Sequence, residues 1–160
     1  MGTTGAGKTT VGQLLATKLK WTFLDADNFH PPANIEKMTR GIPLADSDRI
    51  PWLQAIHAEL TKLKGLGANV VLACSALKQS YRDRLAKGLD MRVAYLRGTY
   101  QEMRRHIHER RGHFAGEGIL AGQFADLEEP QNALQLNVAK RPNELVNDII
   151  VGLGLDPAAG

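Results

Sequence analysis

The sequence predicts an α/β fold of three layers, with helices packed on both faces of a parallel sheet. Three observations carry that expectation. Helical and extended apolar segments alternate along the chain, which argues for repeated strand–helix–strand units. The stretch "NVVLACS" is apolar without alternation, as a strand buried on both faces requires. The chain also opens on "MGTTGAGKTT", a glycine-rich turn that runs straight into a helical pattern.

With 160 residues the chain suits one domain, placed over residues 1–153, with a tail over 154–160. From Lys8 to Lys20, Val11, Leu14, Leu15 and Leu19 recur at helical spacing. "WTFLDAD" reads as a short strand ending in acidic residues, "PPANIEKM" as a helix begun by proline, and "GIPLADSDR" as a loop. Asp48 is the expected N-cap of a helix that carries Trp52, Leu53, Ile56, Leu60 and Leu63 on one face. After the buried strand come a helix near Lys78 to Lys87, the strand "RVAYLRG" and a helix from Thr99 to about Arg110. "RRGHFAGEG" has no periodic apolar face and reads as a mobile flap. A short helix around Ile119 to Leu127, the strand "LQLNV" and a helix from Pro142 to Val151 follow, and the tail "GLGLDPAAG" reads as frayed.

Composition excludes several classes. No apolar run approaches the ~20 residues needed to cross a bilayer, so no membrane partner is expected. The single cysteine, Cys74, leaves no internal disulfide and fits a reducing cytoplasm. The net charge of +3 comes without interleaved aromatic and basic residues, which suits small anionic ligands better than nucleic acid.

Gly2, Gly7, Lys8 and Thr9 match the spacing of a phosphate-binding loop. The glycines let backbone N–H groups converge on phosphate oxygens. Lys8 neutralises charge near the terminal phosphates, the Thr9 hydroxyl ligates Mg²⁺, and the helix start adds its positive end. A buried strand ordinarily delivers the chain to such a loop, and none precedes Gly2. Without it, the neighbouring strands would expose unpaired backbone groups, so the natural chain is expected to start upstream of Met1.

A phosphate loop does not by itself separate hydrolysis from transfer. Asp25 and Asp27, at alternating positions of the strand that follows, face the same side. One can support the water shell of Mg²⁺ while the other accepts a proton from an attacking hydroxyl. Arg49 offers a forked donor suited to a carboxylate. Lys78, Tyr81 and Arg82 follow the strand end at Ser75, where ligands bind in open parallel sheets, although a solvated helix face would read the same way. His106 and His108 point apart on a helix, so no metal cluster with His113 is expected. "RRGHF" puts Arg110 and Arg111 on a segment able to close over ATP.

The stretches "GTTGAGKTT", "LDADNFHPPANIEKMTRGIPLADSDRIPWL", "VVLACSALKQSYRD" and "GHFAGEGILAGQFADLEEP" together resemble the gluconokinase family, the small thermoresistant type, over almost the whole chain. The resemblance implies ATP-dependent phosphorylation of D-gluconate at its 6-hydroxyl, giving 6-phosphogluconate and ADP. It implies the P-loop kinase fold of nucleoside-monophosphate and shikimate kinases, with a parallel five-stranded sheet and a lid near residues 110–118. The first strand of that sheet is missing from this chain. A homodimer, ATP and Mg²⁺ are implied as well. By matching position, Gly2, Thr3, Thr4, Gly5, Ala6, Gly7, Lys8, Thr9 and Thr10 hold the ATP phosphates. Thr9 meets the metal, and Asp25 acts beside it through water. Asp27 resembles the acidic residue on the acceptor hydroxyl. His30, Arg49, Lys78, Arg82 and His113 fall where acceptor contacts are expected. Arg110 opens the lid as the arginine that meets the nucleotide, and Pro142 flanks the adenine slot beside Arg141 of "AKRP". His106 stands where the family pattern would place an arginine. Two alternatives remain at this stage: a shikimate kinase-like enzyme, and an ATPase module without an acceptor.

Overall fold

Helix α1 (Lys8–Leu19) starts where Gly7 turns the chain through a left-handed conformation, φ 85° and ψ 18°. In the computed structural model, residues 1–111 and 117–156 are described, with the side chains of residues 110, 111 and 117 outside that description. The proposed lid tip at 112–116, including His113, lies outside the described residues.

The elements that follow are β1 (Thr22–Asp25), a 3₁₀ turn (Ala26–Phe29), α2 (Pro32–Thr39), α3 (Asp46–Gly65), β2 (Val70–Ala73) and α4 (Gln79–Ala86). The second half holds β3 (Ala94–Arg97), α5 (Tyr100–Arg111), α6 (Glu117–Asp126), β4 (Leu134–Asn137) and α7 (Pro142–Gly152). The alternation is the one read from the sequence. Three local expectations need correction. Asp48 is not the N-cap of α3: the helix begins two residues earlier, and the Asp48 carboxylate accepts the Ala45 N–H at 2.9 Å from the third helical position. Asp27 is not on a strand, because the chain leaves β1 at Asp25 and coils into the 3₁₀ turn. The tail is not frayed as far as Asp156. Leu153 and Leu155 pack on the core, and Arg92 donates to Leu153 O at 2.6 Å.

The strands form two parallel pairs, β1 with β2 and β3 with β4. In the first, Thr22 faces Val70 and Asp25 faces Ala73; in the second, Ala94 faces Leu134 and Arg97 faces Asn137. Where the expected sheet would be continuous, the described residues leave a gap between β2 and β3. Met1 and Gly2 bridge it: the Met1 amine donates to Ala94 O at 2.6 Å, Leu96 N–H donates to Met1 O at 2.9 Å, and Gly2 N–H to Ser75 O at 3.4 Å. Burial pushes that amine down to about 5. A cavity of about 660 Å³ opens beside it, lined by Leu15, Val71, Ala73, Val93, Ala94 and Leu96 among others.

Two cores flank the strands. Val11, Leu15 and Leu19 of α1 meet Met103 and Ile107 of α5 and Leu145, Val146 and Ile149 of α7 on one face. Trp52, Leu53, Ile56 and Leu60 of α3 meet Tyr81 and Leu85 of α4 on the other. Gly12 lets α1 approach, since a Cβ there would lie 2.8 Å from the Phe23 ring. Among the described residues no helix is long and apolar enough to cross a membrane. Leu19 is fully buried, so Leu19→Ala should lower the unfolding free energy by about 2–5 kcal/mol in urea titrations. A loss under about 0.5 kcal/mol would mean that α1 does not anchor this core.

Candidate functional site: a phosphate loop beside a carboxylate-binding cation pair

The loop at the head of α1 is built for an anion. Gly5 also takes a left-handed conformation, φ 82°, and a Cβ there would stand 2.7 Å from Met103 O. Helix α1 has no side-chain cap, so its first-turn N–H groups are presented at the loop. Lys8 Nζ donates to Thr3 O at 2.9 Å, which folds the ammonium back over the loop. From α5, His106 Nδ1 lies 3.1 Å from Gly5 O, an arrangement that puts the proton on Nδ1. From α6, Gln123 Oε1 accepts the Thr4 N–H at 2.6 Å.

Asp25 ties this loop to the rest of the site. Its Oδ2 accepts the Thr9 hydroxyl at 2.9 Å, and its Oδ1 accepts the Asp27 N–H at 3.0 Å. One carboxylate therefore sets both the first turn of α1 and the turn that carries Asp27. Asp27 itself is exposed at the mouth. His30 follows, stacked on Trp52 at 4.7 Å between ring centroids with planes 8° apart, while the indole N–H donates to Ala26 O at 2.7 Å. Burial pushes the His30 imidazole below its ordinary value; the Asp27 carboxylate opposes this and Arg49 adds to it.

On the far side, Arg49 from α3 and Lys78 from the β2–α4 turn converge around Tyr81. Lys78 Nζ lies 5.7 Å and the Arg49 guanidinium 5.8 Å from the Tyr81 ring centroid. Arg49 donates to the Tyr81 hydroxyl at 3.1 Å, and that hydroxyl donates to Asp46. Lys78 donates to both Asp46 oxygens, at 2.9 and 3.1 Å. These contacts hold the Asp46 carboxyl below its usual range, the Tyr81 hydrogen bond first and Lys78 second. A second carboxylate, Asp126 at the end of α6, lies 3.6 Å from Arg49 and 3.9 Å from Lys78. The cation pair thus already binds carboxylates, supplied by the chain itself.

Comparison with known proteins gives the family. The shikimate kinase family profile matches residues 4–112. A probable gluconokinase from Mus musculus is 40% identical over 174 residues, covering 96% of this chain and 95% of its own. A gluconokinase from Gluconobacter oxydans is 40% identical over 155 residues, covering 94% and 86%. The chain belongs to the gluconokinase family. The crystal structure of a gluconokinase from Sinorhizobium meliloti 1021 superposes with a TM-score of 0.88 at 38% identity, covering 96% of this chain and 89% of that one.

Of the residues expected of a gluconokinase, the structure links Thr9, Asp25 and Asp27 by hydrogen bonds, folds Lys8 over the loop, stacks His30 on Trp52 and brings Arg49 and Lys78 together around Tyr81. Arg82 is corrected. It is buried, and its guanidinium donates to Ala76 O, Leu77 O and Glu128 O, each at 2.9 Å, so it braces the turns behind the site. Pro142 is exposed at the start of α7. Arg110 ends in the last turn of α5, with its side chain outside the description. Asp46, Asp126 and Gln123 were missed in the sequence. Asp46 lies within a quoted stretch, but its partners Lys78 and Tyr81 are more than thirty residues away, and no local pattern links them.

The His30 ring should titrate below 6.5 in NMR titrations, and Asp27→Asn should lower it further by removing the carboxylate that favours the imidazolium. An unchanged value in that variant would place Asp27 away from the ring.

Proposed function

We propose that this protein transfers the γ-phosphoryl group of ATP to the 6-hydroxyl of D-gluconate, releasing 6-phosphogluconate and ADP. The observation that carries the reading is the Arg49–Lys78 pair, which holds two carboxylates beside a phosphate loop. A linear sugar acid satisfies both ends of that arrangement. Its carboxylate takes the cations, and its far hydroxyl reaches Asp27 at the mouth of the loop.

In this reading the loop N–H groups and Lys8 hold the β- and γ-phosphates. The Thr9 hydroxyl and the Asp25 carboxylate, hard oxygen donors 2.9 Å apart, suit Mg²⁺. Bound there, the ion would neutralise charge on the transferring phosphate. Asp27 accepts the proton of the 6-hydroxyl as the new O–P bond forms and the bond to the ADP oxygen breaks. His30, held neutral by burial against Trp52, lines the acceptor between Asp27 and Arg49. Arg110 is the proposed partner of the nucleotide, and His113 a proposed contact of the acceptor. Family likeness makes a cytoplasmic homodimer the proposed assembly.

The test is ADP release with D-gluconate, with shikimate, and with neither. Gluconate-dependent release is expected, and Asp27→Asn should cut turnover by about a hundredfold or more while keeping ADP affinity. Release that ignores gluconate would turn the reading to an ATPase, and release with shikimate alone to the sister kinase. Arg49→Ala should raise the KM for gluconate roughly ten- to hundredfold with the KM for ATP near its starting value. A rise confined to ATP would move Arg49 to the nucleotide.

A further inference from the structure

Helix α6 touches both halves of the site with two side chains one turn apart. Gln123 Oε1 accepts the Thr4 N–H of the phosphate loop at 2.6 Å. Asp126 places its carboxylate 3.6 Å from Arg49 and 3.9 Å from Lys78. Residues three apart project from one helix face, so a single turn of α6 spans the nucleotide end and the acid end together. The helix is well anchored for this. Leu120 is fully buried, Phe124 stacks edge-on against Tyr100 at 5.5 Å, and the chain beyond is fixed by Glu128 N–H donating to Leu77 O at 3.0 Å.

Both contacts imitate a ligand. A backbone N–H carries one hydrogen, and while Gln123 accepts it, a phosphate oxygen cannot. On the acid side the charges decide. Arg49 and Lys78 supply two positive charges, and Asp46 and Asp126 already balance them. A third carboxylate would leave the cluster with an excess negative charge, so one resident must withdraw. Asp46 is held by hydrogen bonds from Lys78 and Tyr81, whereas the contacts of Asp126 to the two cations, among the described residues, are longer ion pairs. Asp126 is the one to leave.

We propose that α6 is an internal place-holder for both substrates, with Gln123 standing in for a phosphate oxygen and Asp126 for the acid's carboxylate. Release requires a tilt of the helix about Leu120 that carries both side chains together. Because one turn carries both, displacing either loosens the other. Nucleotide and sugar acid then each tighten the other's binding, by the same factor in both directions. Substrate binding is weakened in each single complex and recovered in the ternary one. The acid half of this inference rests on the acceptor reading above; the nucleotide half rests on the phosphate loop alone.

Calorimetric titration of Mg·ADP and of D-gluconate, singly and each in the presence of the other, tests it on the full chain. Gln123→Ala should tighten Mg·ADP roughly two- to tenfold, the worth of one hydrogen bond no longer displaced. Gln123→Glu should weaken it, since a carboxylate grips the same N–H harder and repels phosphate. Asp126→Asn should tighten D-gluconate by a similar factor, and both Gln123→Ala and Asp126→Asn should reduce the mutual tightening toward onefold. Opposite signs for alanine and glutamate at one position are beyond a merely structural role, and a thermal melt of each variant confirms the fold. Unchanged or weaker Mg·ADP binding in Gln123→Ala overturns the proposal. Absence of gluconate binding to the unaltered chain overturns the acceptor reading instead, and the Gln123 arm still decides the fate of α6.

Discussion

The two oxygens of Asp25 are the constraint from which the site follows. One receives the Thr9 hydroxyl at the head of α1, and the other receives the backbone N–H of Asp27. The first bond fastens the phosphate loop to β1 at the point of chemistry. Without the second, the turn carrying Asp27 loses the contact that ends the strand and starts a 3₁₀ coil. The side chain is placed by β1, whose pairing with β2 fixes its height along the sheet. Strand register thus becomes the separation between the proposed metal donors and the proposed base.

The remainder of the fold is arranged around that point. The α1–α5–α7 core holds the loop from below, and Met103 approaches Gly5 so closely that no side chain would fit there. The α3–α4 core holds the acceptor wall from the other face, with Trp52 reaching across to Ala26 O. Arg82 does what a buried cation in a well-packed region must do, giving its donors to backbone carbonyls. It stiffens the turn that presents Lys78.

Much of this was legible in the chain. Helices α1 and α3 are legible by period, and the loop by its glycines and the lysine–threonine pair, because these are local properties. The misreadings share one source, which is side-chain contacts that residue type and period do not announce. "LDAD" looks like a strand through Asp27, but the Asp25 side chain captures the Asp27 N–H and bends the chain first. Asp48 has the right residue type for a cap, yet Lys37 and the Ala45 N–H hold it one turn inside the helix. Arg82 sits on a charged segment that reads as an acceptor contact or a solvated face, and the carbonyls of Ala76, Leu77 and Glu128 take its donors instead. The contacts of Gln123 and Asp126 span tens of residues and leave no periodic trace.

The stack of His30 on Trp52 carries a practical consequence. The indole lies in van der Waals contact with an imidazole on the acceptor wall, and the chain's other tryptophan, Trp21, packs on the opposite core. Because an imidazolium quenches a neighbouring indole far more than a neutral ring does, Trp52 is a native fluorophore whose brightness follows the ionisation of the wall it leans on. The molecule carries its own optical gauge of that compartment, with no label attached.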